Sequence, residues 1–241
     1  GAGPAFEGAR IRHGMRAAEG ASRKVVIGDD IEVSVLGGGK ARGICGSGLI
    51  DAVAELLRVG VIDETGRILA RDKLSSDVPP RVAEAVCEVD GEPAVELVPD
   101  ERSRVNGPVM IFQKDLRELQ LGKAAVRAGM EVACSRYGVA VDDLDRILVA
   151  GAFGNFLHTA NAQRIGLLPD VPVSRIESVG NAAFAGARMS LLSRKCREEA
   201  REISETVEYE ELARSAEFQQ QYSECMIFGP QASMRSASSG G

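Results

Sequence analysis

Residues 145–155 read DRILVAGAFGN and contain the clearest fold signal in the sequence. Ile147 to Ala150 form a continuous apolar run, which is typical of a strand buried on both faces of a parallel sheet. Gly151, Gly154 and Asn155 follow it, so a bare backbone lies at the carboxyl end of the strand, where α/β folds bind ligands. The alternative is an ordinary strand-to-helix turn. Because glycine costs stability unless the backbone must approach something closely, we favour a binding loop.

Two further glycine loops precede predicted helices. SVGNAAFAGA, residues 178–187, repeats the strand–turn–helix pattern, with Gly180 and Asn181 as ligand candidates and an Ala/Gly helix face that indicates close helix packing. In GICGSGLID, residues 43–51, Gly46, Ser47 and Gly48 begin a helix and could present free N–H groups to a phosphate or ribose. The alternative for this second loop is a close-packed helix start with Ser47 as N-cap, which a short glycine pattern alone favours.

The rest of the chain predicts an α/β layered architecture. A β-hairpin is expected around Gly28-Asp29-Asp30, since alternating apolar runs flank that turn. Residues 63–108 look like a small lobe or insertion with short strands and a short helix near Arg81–Glu88. A strand VMIF, a long helix over 114–136, a charged helix over 194–205 and a final helix follow. The Ser/Gly-rich tail 229–241 is expected to be disordered.

Composition excludes several function classes. With 44% apolar and 27% charged residues, the 241-residue chain is typical of a soluble globular protein. A net charge of −6 provides no basic field for nucleic acid. No apolar run approaches the roughly 20 residues that span a bilayer, and no signal peptide is recognisable, so we expect no membrane association and a cytoplasmic location. The absence of an initiator Met suggests a fragment or processed product.

The sequence gives little support for a metal site or for catalytic residues. The five cysteines, at positions 45, 87, 134, 196 and 225, are odd in number and lack metal-ligand spacing, which favours reduced thiols. The GGGK at 37–40 is not a phosphate-binding P-loop, and no GxGxxG opens a helix. His13 and His158 are isolated, and we expect each on the surface or at a helix end. Asp142, Asp143 and Asp145 are interpreted as a solvated turn.

Six ordered blocks together resemble a known family. The chain from Gly3 to about Phe228 is similar to the C-terminal part of the reductive activators of corrinoid-dependent enzymes, through GPAFEGARIRHGM, GICGSGLID, FQKDLRELQLGKAAVRAG, LVAGAFGNFL, NAQRIGLLP and SVGNAAFAGA. The resemblance implies an α/β fold of the actin-like ATPase class (ASKHA, ribonuclease H-like). Residues 1–228 would form a partial C-terminal ASKHA-type domain, with about 61–108 as a smaller inserted α+β lobe.

The resemblance also implies site residues. AGAFGN would be the adenosine motif, with Gly151, Ala152, Gly154 and Asn155 lining the base and ribose. Gly180 and Asn181 would lie beside the nucleotide, and the CGSG segment, Gly46, Ser47 and Gly48 with Cys45, would lie near the cleft. A cysteine near this point ligates an iron–sulfur cluster in a related activator family. Because Cys45 has no second cysteine beside it, we interpret it as structural.

The implied activity of the whole protein is ATP-dependent reduction of a Co(II) corrinoid protein to Co(I). The implied cofactors are ATP with Mg²⁺, and an iron–sulfur cluster in an N-terminal domain that this sequence lacks. The two Asp-Gly phosphate loops of the fold are also not recognisable, so we expect the catalytic acids upstream and no turnover by this chain alone. The implied partners are the corrinoid protein, the upstream half and, as a possibility, a second copy. Two alternatives stay open: a sugar or acetate kinase of the same fold, and a non-catalytic docking or dimerisation module.

Overall fold

The computed structural model describes residues 3–151 and 154–229. Ala152 and residues 230–241, most of the predicted disordered tail, lie outside them. The helices are α1 Gly46–Arg58, α2 Pro80–Glu84, α3 Gln113–Tyr137, α4 Thr159–Arg164, α5 Ala182–Leu192, α6 Arg194–Thr206 and α7 Ala216–Glu224. The strands are β1 Ala21–Ile27, β2 Ile31–Val35, β3 Gly43–Ile44, β4 Val86–Val89, β5 Glu92–Val98, β6 Val109–Phe112, β7 Ile147–Ala150 and β8 Ile176–Gly180. No helix among these residues is both long and apolar enough to cross a membrane.

The first sheet has the strand order β2-β1-β3 and carries α1 on one face. Strands β1 and β2 are antiparallel and joined at Ile27 and Ile31, which confirms the predicted hairpin. Strand β3 pairs parallel with β1 and leads directly into α1. Helical spacing predicts an apolar stripe on α1 made of Leu49, Ile50, Val53, Leu56 and Leu57. The first four are buried, and Leu57 is partly buried against the same core.

The second sheet, β4-β5-β6, is antiparallel and corrects one prediction. The expected helix near Arg81–Glu88 ends at Glu84, and Val86–Val89 form β4 instead. Asp90 and Gly91, both at positive φ, join β4 to β5 in a two-residue hairpin. Asp-Gly between two strand segments is a strong hairpin signal, and it outweighs the helix pattern here. With α2, these strands give 61–108 the expected α+β character.

One apolar core links most of these elements. It joins buried residues of β1, α1, β5, β6 and the start of α3, where Leu116 and Leu119 are fully buried. Helix α4 and the turn after it close the core with Ala162, Ile165, Leu167 and Leu168. Helix α3 also packs against α7 through Ala124, Ala128 and Cys225. The long predicted helix, α3, therefore contacts both the main core and α7.

The third sheet, β7-β8, is parallel as expected but is not buried. Of the β7 residues only Ile147 is buried, and Leu148 is 54% exposed, so the predicted continuous burial is wrong. Helix α5 buries none of its residues, which also contradicts the expected close helix packing. The physical reason is that only one face of this sheet packs against the core, through Val149 and Ile176, while no layer among the described residues covers its other face or helix α5. Apolar side chains consequently face outward at Leu148, Val179, Phe184, Met189, Leu191 and Leu192.

Candidate functional site

The AGAFGN loop after β7 and the SVGN loop after β8 meet at the carboxyl end of these two strands. The N–H of Gly151 donates to the carbonyl of Gly180 at 2.7 Å. Gly151 (φ 100°) and Gly180 (φ 66°) both occupy the left-handed region, which favours glycine. Gly154 is buried, and a Cβ there would lie 2.8 Å from Cγ1 of Val149. These glycines thus allow the loop to turn back and pack closely against β7.

Two asparagines follow these glycines. Asn181 caps α5, because its Oδ1 accepts a hydrogen bond from the N–H of Phe184 at 3.0 Å. Asn155 lies in the short 3₁₀ helix Gly154–Phe156, directly beyond the strand end. Ala152, the remaining predicted residue of this loop, lies outside the described residues. The geometry therefore gives Asn181 a capping role and leaves the ligand roles of Asn155 and Ala152 as predictions.

The start of α1 is held against β1 by side chains and by close backbone packing. A Cβ on Gly48 would lie 2.1 Å from the carbonyl oxygen of Ser22, so this glycine is required for packing. Ser47 is buried, and its Oγ donates to the carbonyl of Arg23 at 3.0 Å. The N-cap is Cys45 rather than Ser47, and it makes no side-chain capping bond. The close-packed alternative is thus correct for Gly48, while the predicted cap is wrong because Ser47 is anchored to the strand.

A cavity of about 420 Å³ lies between the GICG loop at the start of α1 and Phe156, which follows the AGAFGN loop. The start of α1 forms one wall and Phe156 another, and the complete lining is Phe6, Glu7, Arg16, Ala17, Cys45, Gly46, Ser47 and Phe156. The N–H groups of Gly46, Ser47 and Gly48 have no acceptor among residues 3–151 and 154–229. A helix start with free N–H groups attracts anions.

Three lining residues were missed by sequence reasoning. Arg16 is exposed and supplies a cation, Glu7 supplies a carboxylate, and the ring of Phe156 is 51% exposed. The only signal that could have found them is their position inside or next to two of the quoted blocks. The residue types alone give no signal of function, because Arg, Glu and Phe occur on the surface of every globular protein. The folded chain brings together one cation, one carboxylate, aromatic rings and a helix start.

A buried polar network stabilises α1 behind the cavity. Asn161 Nδ2 donates to Asp51 Oδ1 at 2.7 Å, which joins two of the blocks in the resemblance. Burial raises the pKa of Asp51, while the bond from Asn161 and the nearby His158 act in the opposite direction. Glu55 accepts from the N–H of Ile27 at 3.0 Å and contacts both Arg58 and Arg164. This network fixes α1 to β1 and α4.

The two histidines differ in their surroundings. His158 is exposed at the N-cap of α4, so the helix-end prediction is confirmed. His13 is half-buried, and its Nδ1 accepts from the N–H of Met110 at 2.9 Å. Burial lowers the pKa of His13, although Asp115 nearby acts to raise it. The expected surface position is wrong for His13 because this imidazole pairs with the edge of β6, packed against Phe112.

The described residues do not fit an iron–sulfur cluster or a metal centre. All five cysteines are free thiols, and Cys45 donates its S–H to the carbonyl of Ser22 at 3.4 Å. Within the described part of the chain, no three His, Cys, Asp or Glu side chains lie close enough to share an ion. The three predicted turn aspartates, Asp142, Asp143 and Asp145, are exposed, which confirms that interpretation.

Comparisons with known proteins agree on one family. The sequence model described as the C-terminal domain of RACo, the ASKHA domain, matches residues 1–239. The chain is 36% identical over 228 residues to the corrinoid activation enzyme RamQ of Eubacterium limosum, covering 94% of this chain and 38% of that protein. It is 26% identical to the [Co(II) methylated amine-specific corrinoid protein] reductase of Methanosarcina barkeri, covering 86% of this chain and 37% of the relative.

A solved structure agrees with the sequence comparisons. The reductive activator for corrinoid, iron-sulfur protein superposes with a TM-score of 0.83 at 35% identity, covering 94% of this chain and 35% of that one. The chain therefore spans little more than a third of each of these relatives.

Proposed function

This chain belongs to the family of RACo C-terminal ASKHA domains, and from that membership we propose that it is the nucleotide-binding part of a longer reductive activator of corrinoid proteins. The expected resemblance and the expected fold class are thereby confirmed. The observation that carries the proposal is the cavity between α1 and Phe156, because it is lined both by the glycine loop at the start of α1 and by a residue next to the predicted adenosine motif.

The residues around the cavity fit an adenine nucleotide. Its volume of about 420 Å³ lies within the range of small-molecule pockets. Phe156 offers an aromatic face for a base, and Glu7 offers a carboxylate for ribose hydroxyls. Arg16 and the free N–H groups of Gly46 and Ser47 offer donors for phosphate. The loop Gly151, Ala152, Gly154 and Asn155 would hold the nucleoside, and Gly180 and Asn181 would support it from β8.

The uncovered face of β7, β8 and α5 supports a longer protein. Monomeric proteins rarely leave large apolar patches exposed, and this face carries Leu148, Val179, Phe184 and Met189 at the surface. We assign the face to the remaining part of the same polypeptide, since the relatives are about two and a half times as long as this chain. That part would complete the cleft and supply the phosphate loops and the Mg²⁺ ligands. The division into residues 1–228 with an inserted lobe at 61–108 remains part of this proposal.

The proposed reaction is a one-electron reduction of Co(II) to Co(I) in a corrinoid protein. The electron would come from an iron–sulfur cluster outside this chain, because no cysteine group here fits one. When bound, ATP supplies binding and hydrolysis energy for closure of the two lobes. The role of this chain is to bind the nucleotide and to orient α1 against it. Such a ligand shifts a conformational equilibrium only by its differential affinity for the two states.

The unpaired thiols support a reducing compartment. Disulfides persist in secreted proteins, whereas cytoplasmic proteins keep their cysteines reduced. All five cysteines are free here, including the buried Cys45 and Cys225. We therefore propose a cytoplasmic location.

The test is the reduction of a Co(II) corrinoid protein by the longer protein in the presence of a chemical electron donor. The cobalt oxidation state is monitored by absorption spectroscopy. We expect Co(I) to form only with ATP, and more slowly with Arg16→Gln at subsaturating ATP. Arg104→Gln is the matched control, because Arg104 is an exposed arginine outside this cavity. ATP-independent reduction would contradict the proposal. Substrate-dependent release of ADP with a sugar or acetate would favour the kinase alternative instead.

A further inference from the structure

A second and larger cavity lies away from the predicted nucleotide site, in the smaller lobe. It has a volume of about 740 Å³ and is bounded by three segments: residues 65–71, the β4–β5 hairpin and the first turns of α3. None of its lining residues belongs to the cavity beside Phe156. Neither the sequence motifs nor the proposed function gives it a role.

The walls of this cavity are positively charged although the whole chain is acidic. Three arginines line it, Arg67, Arg71 and Arg117, against a single carboxylate, Glu88. Over residues 3–151 and 154–229, the side chains of Arg67 and Arg117 form no hydrogen bond and no ion pair. A structural ion pair would require a carboxylate within reach of each. Asp63 interacts electrostatically with Arg67 but forms no salt bridge with it, so two guanidinium groups without a paired carboxylate face a concave surface in a chain of net charge −6.

The frame of this cavity is pre-organised by buried and half-buried polar side chains. Gln113 accepts from the N–H of Ile68 at 2.9 Å and donates to the carbonyl of Gly66 at 2.7 Å. Gln120 is 3% exposed and donates to the carbonyls of Thr65 and Met226, each at 2.9 Å. The segment that carries Arg67 is thus fastened to α3, the helix that carries Arg117. A rigid frame lowers the entropic cost of binding a ligand.

Arg71 is fixed on the opposite wall. Its Nη2 donates to the carbonyl of Val86 at 2.9 Å and also to that of Glu84, at the end of α2. A guanidinium has five N–H donors in a planar fork, so these bonds leave others for a ligand. Arginine forks match the geometry of carboxylate and phosphate groups.

We propose that this cavity binds a small molecule carrying phosphate or carboxylate groups. Its volume lies within the range of small-molecule pockets, and apolar residues such as Leu69, Val86 and Pro93 share its lining with the arginines. That combination suits a compact anion with a carbon skeleton. An acidic segment of a partner protein would use a flatter and wider surface, so the small ligand is favoured.

The test uses inorganic pyrophosphate as the probe and the 241-residue chain, with isothermal titration calorimetry at low ionic strength. Binding is expected, and Arg67→Gln and Arg117→Gln should each weaken it about tenfold, since each removes one charge-assisted contact. Arg104→Gln should leave the affinity unchanged. Arg71 is left intact because it bonds to the backbone of the lobe. Thermal unfolding of every variant verifies that the fold is retained.

Several outcomes would overturn this proposal. One is the absence of pyrophosphate binding at millimolar concentration, and another is wild-type affinity in Arg67→Gln and Arg117→Gln. If only Arg16→Gln weakens binding, pyrophosphate occupies the predicted nucleotide cavity and the second site fails. If hexaglutamate binds in an Arg117-dependent way while pyrophosphate does not, the cavity recognises an acidic peptide instead. Amide shifts at Ile68 and Leu69, rather than at Gly46 and Ser47, would locate the bound probe as proposed.

Discussion

Replacing Gly48 by alanine tests whether this glycine serves packing or a ligand. The added Cβ would lie 2.1 Å from the carbonyl oxygen of Ser22 and 2.9 Å from its carbon, both backbone atoms that cannot rotate away. Helix α1 would have to move off β1 by about an ångström. The same carbonyl accepts the N–H of Cys45 at 3.2 Å and its Sγ at 3.4 Å, so these bonds would weaken as well. Overpacking of this kind costs about 1–3 kcal/mol.

For a domain of 150–250 residues, each kcal/mol shifts Tm by about 2–4 °C, so we expect Gly48→Ala to lower Tm by about 2–12 °C. Gly186→Ala is the matched control, because it is also a helical glycine but its Cβ would meet no atom within 4 Å. There the substitution should raise stability by up to about 1 kcal/mol. Differential scanning fluorimetry without nucleotide measures both variants. An unchanged Tm for Gly48→Ala would refute the packing argument and return Gly48 to the ligand site.

Two further predictions concern buried titratable groups. Burial raises the pKa of Asp51, so its stability contribution is present at low pH and lost as pH rises above the unfolded value near 3.8. Asp51→Asn keeps an oxygen that accepts the bond from Asn161. The free energy of unfolding of this variant in urea, relative to that of the wild type, should therefore increase from pH 4 to pH 7. A decrease would contradict the burial argument. Burial also lowers the pKa of Lys123 from 10.5 to about 8. Relative to Lys123→Met, the wild type should therefore gain up to about 3 kcal/mol of unfolding free energy from pH 7.5 to 10.5, and a constant difference would show that this lysine is solvated.

Local patterns predicted the backbone elements well, because periodicity and turn chemistry act over a few residues. The hairpin around Gly28, the helix from Gly46 and the strand Ile147–Ala150 are all present. The error at β4 arose because the helix was extended to Glu88, although the Asp90-Gly91 turn that follows is a local hairpin signal. These elements could be read from the sequence because each is specified within its own segment.

Burial and side-chain roles could not be predicted in the same way, since both depend on segments distant in sequence. The apolar run at β7 is buried only at Ile147, because no described layer covers its other face. Gly48 looks like a phosphate-loop glycine until its approach to Ser22, 26 residues earlier, is known. Arg16 and Phe156 meet at one cavity although 140 positions separate them. The resemblance to a family supplied the fold and the proposed function, but it could not distinguish packing glycines from binding glycines.

The central claim is that the backbone after β7 binds the adenine nucleoside. It is tested most directly by photolabelling the longer protein with 8-azido-ATP, followed by trypsin digestion and mass spectrometry. Cleavage after Arg146 and Arg164 releases residues 147–164 as one peptide, which contains the whole AGAFGNFL loop. The account predicts that this peptide carries the label and that excess ATP prevents the labelling. Competed label found only in other peptides, with 147–164 unmodified, would contradict it.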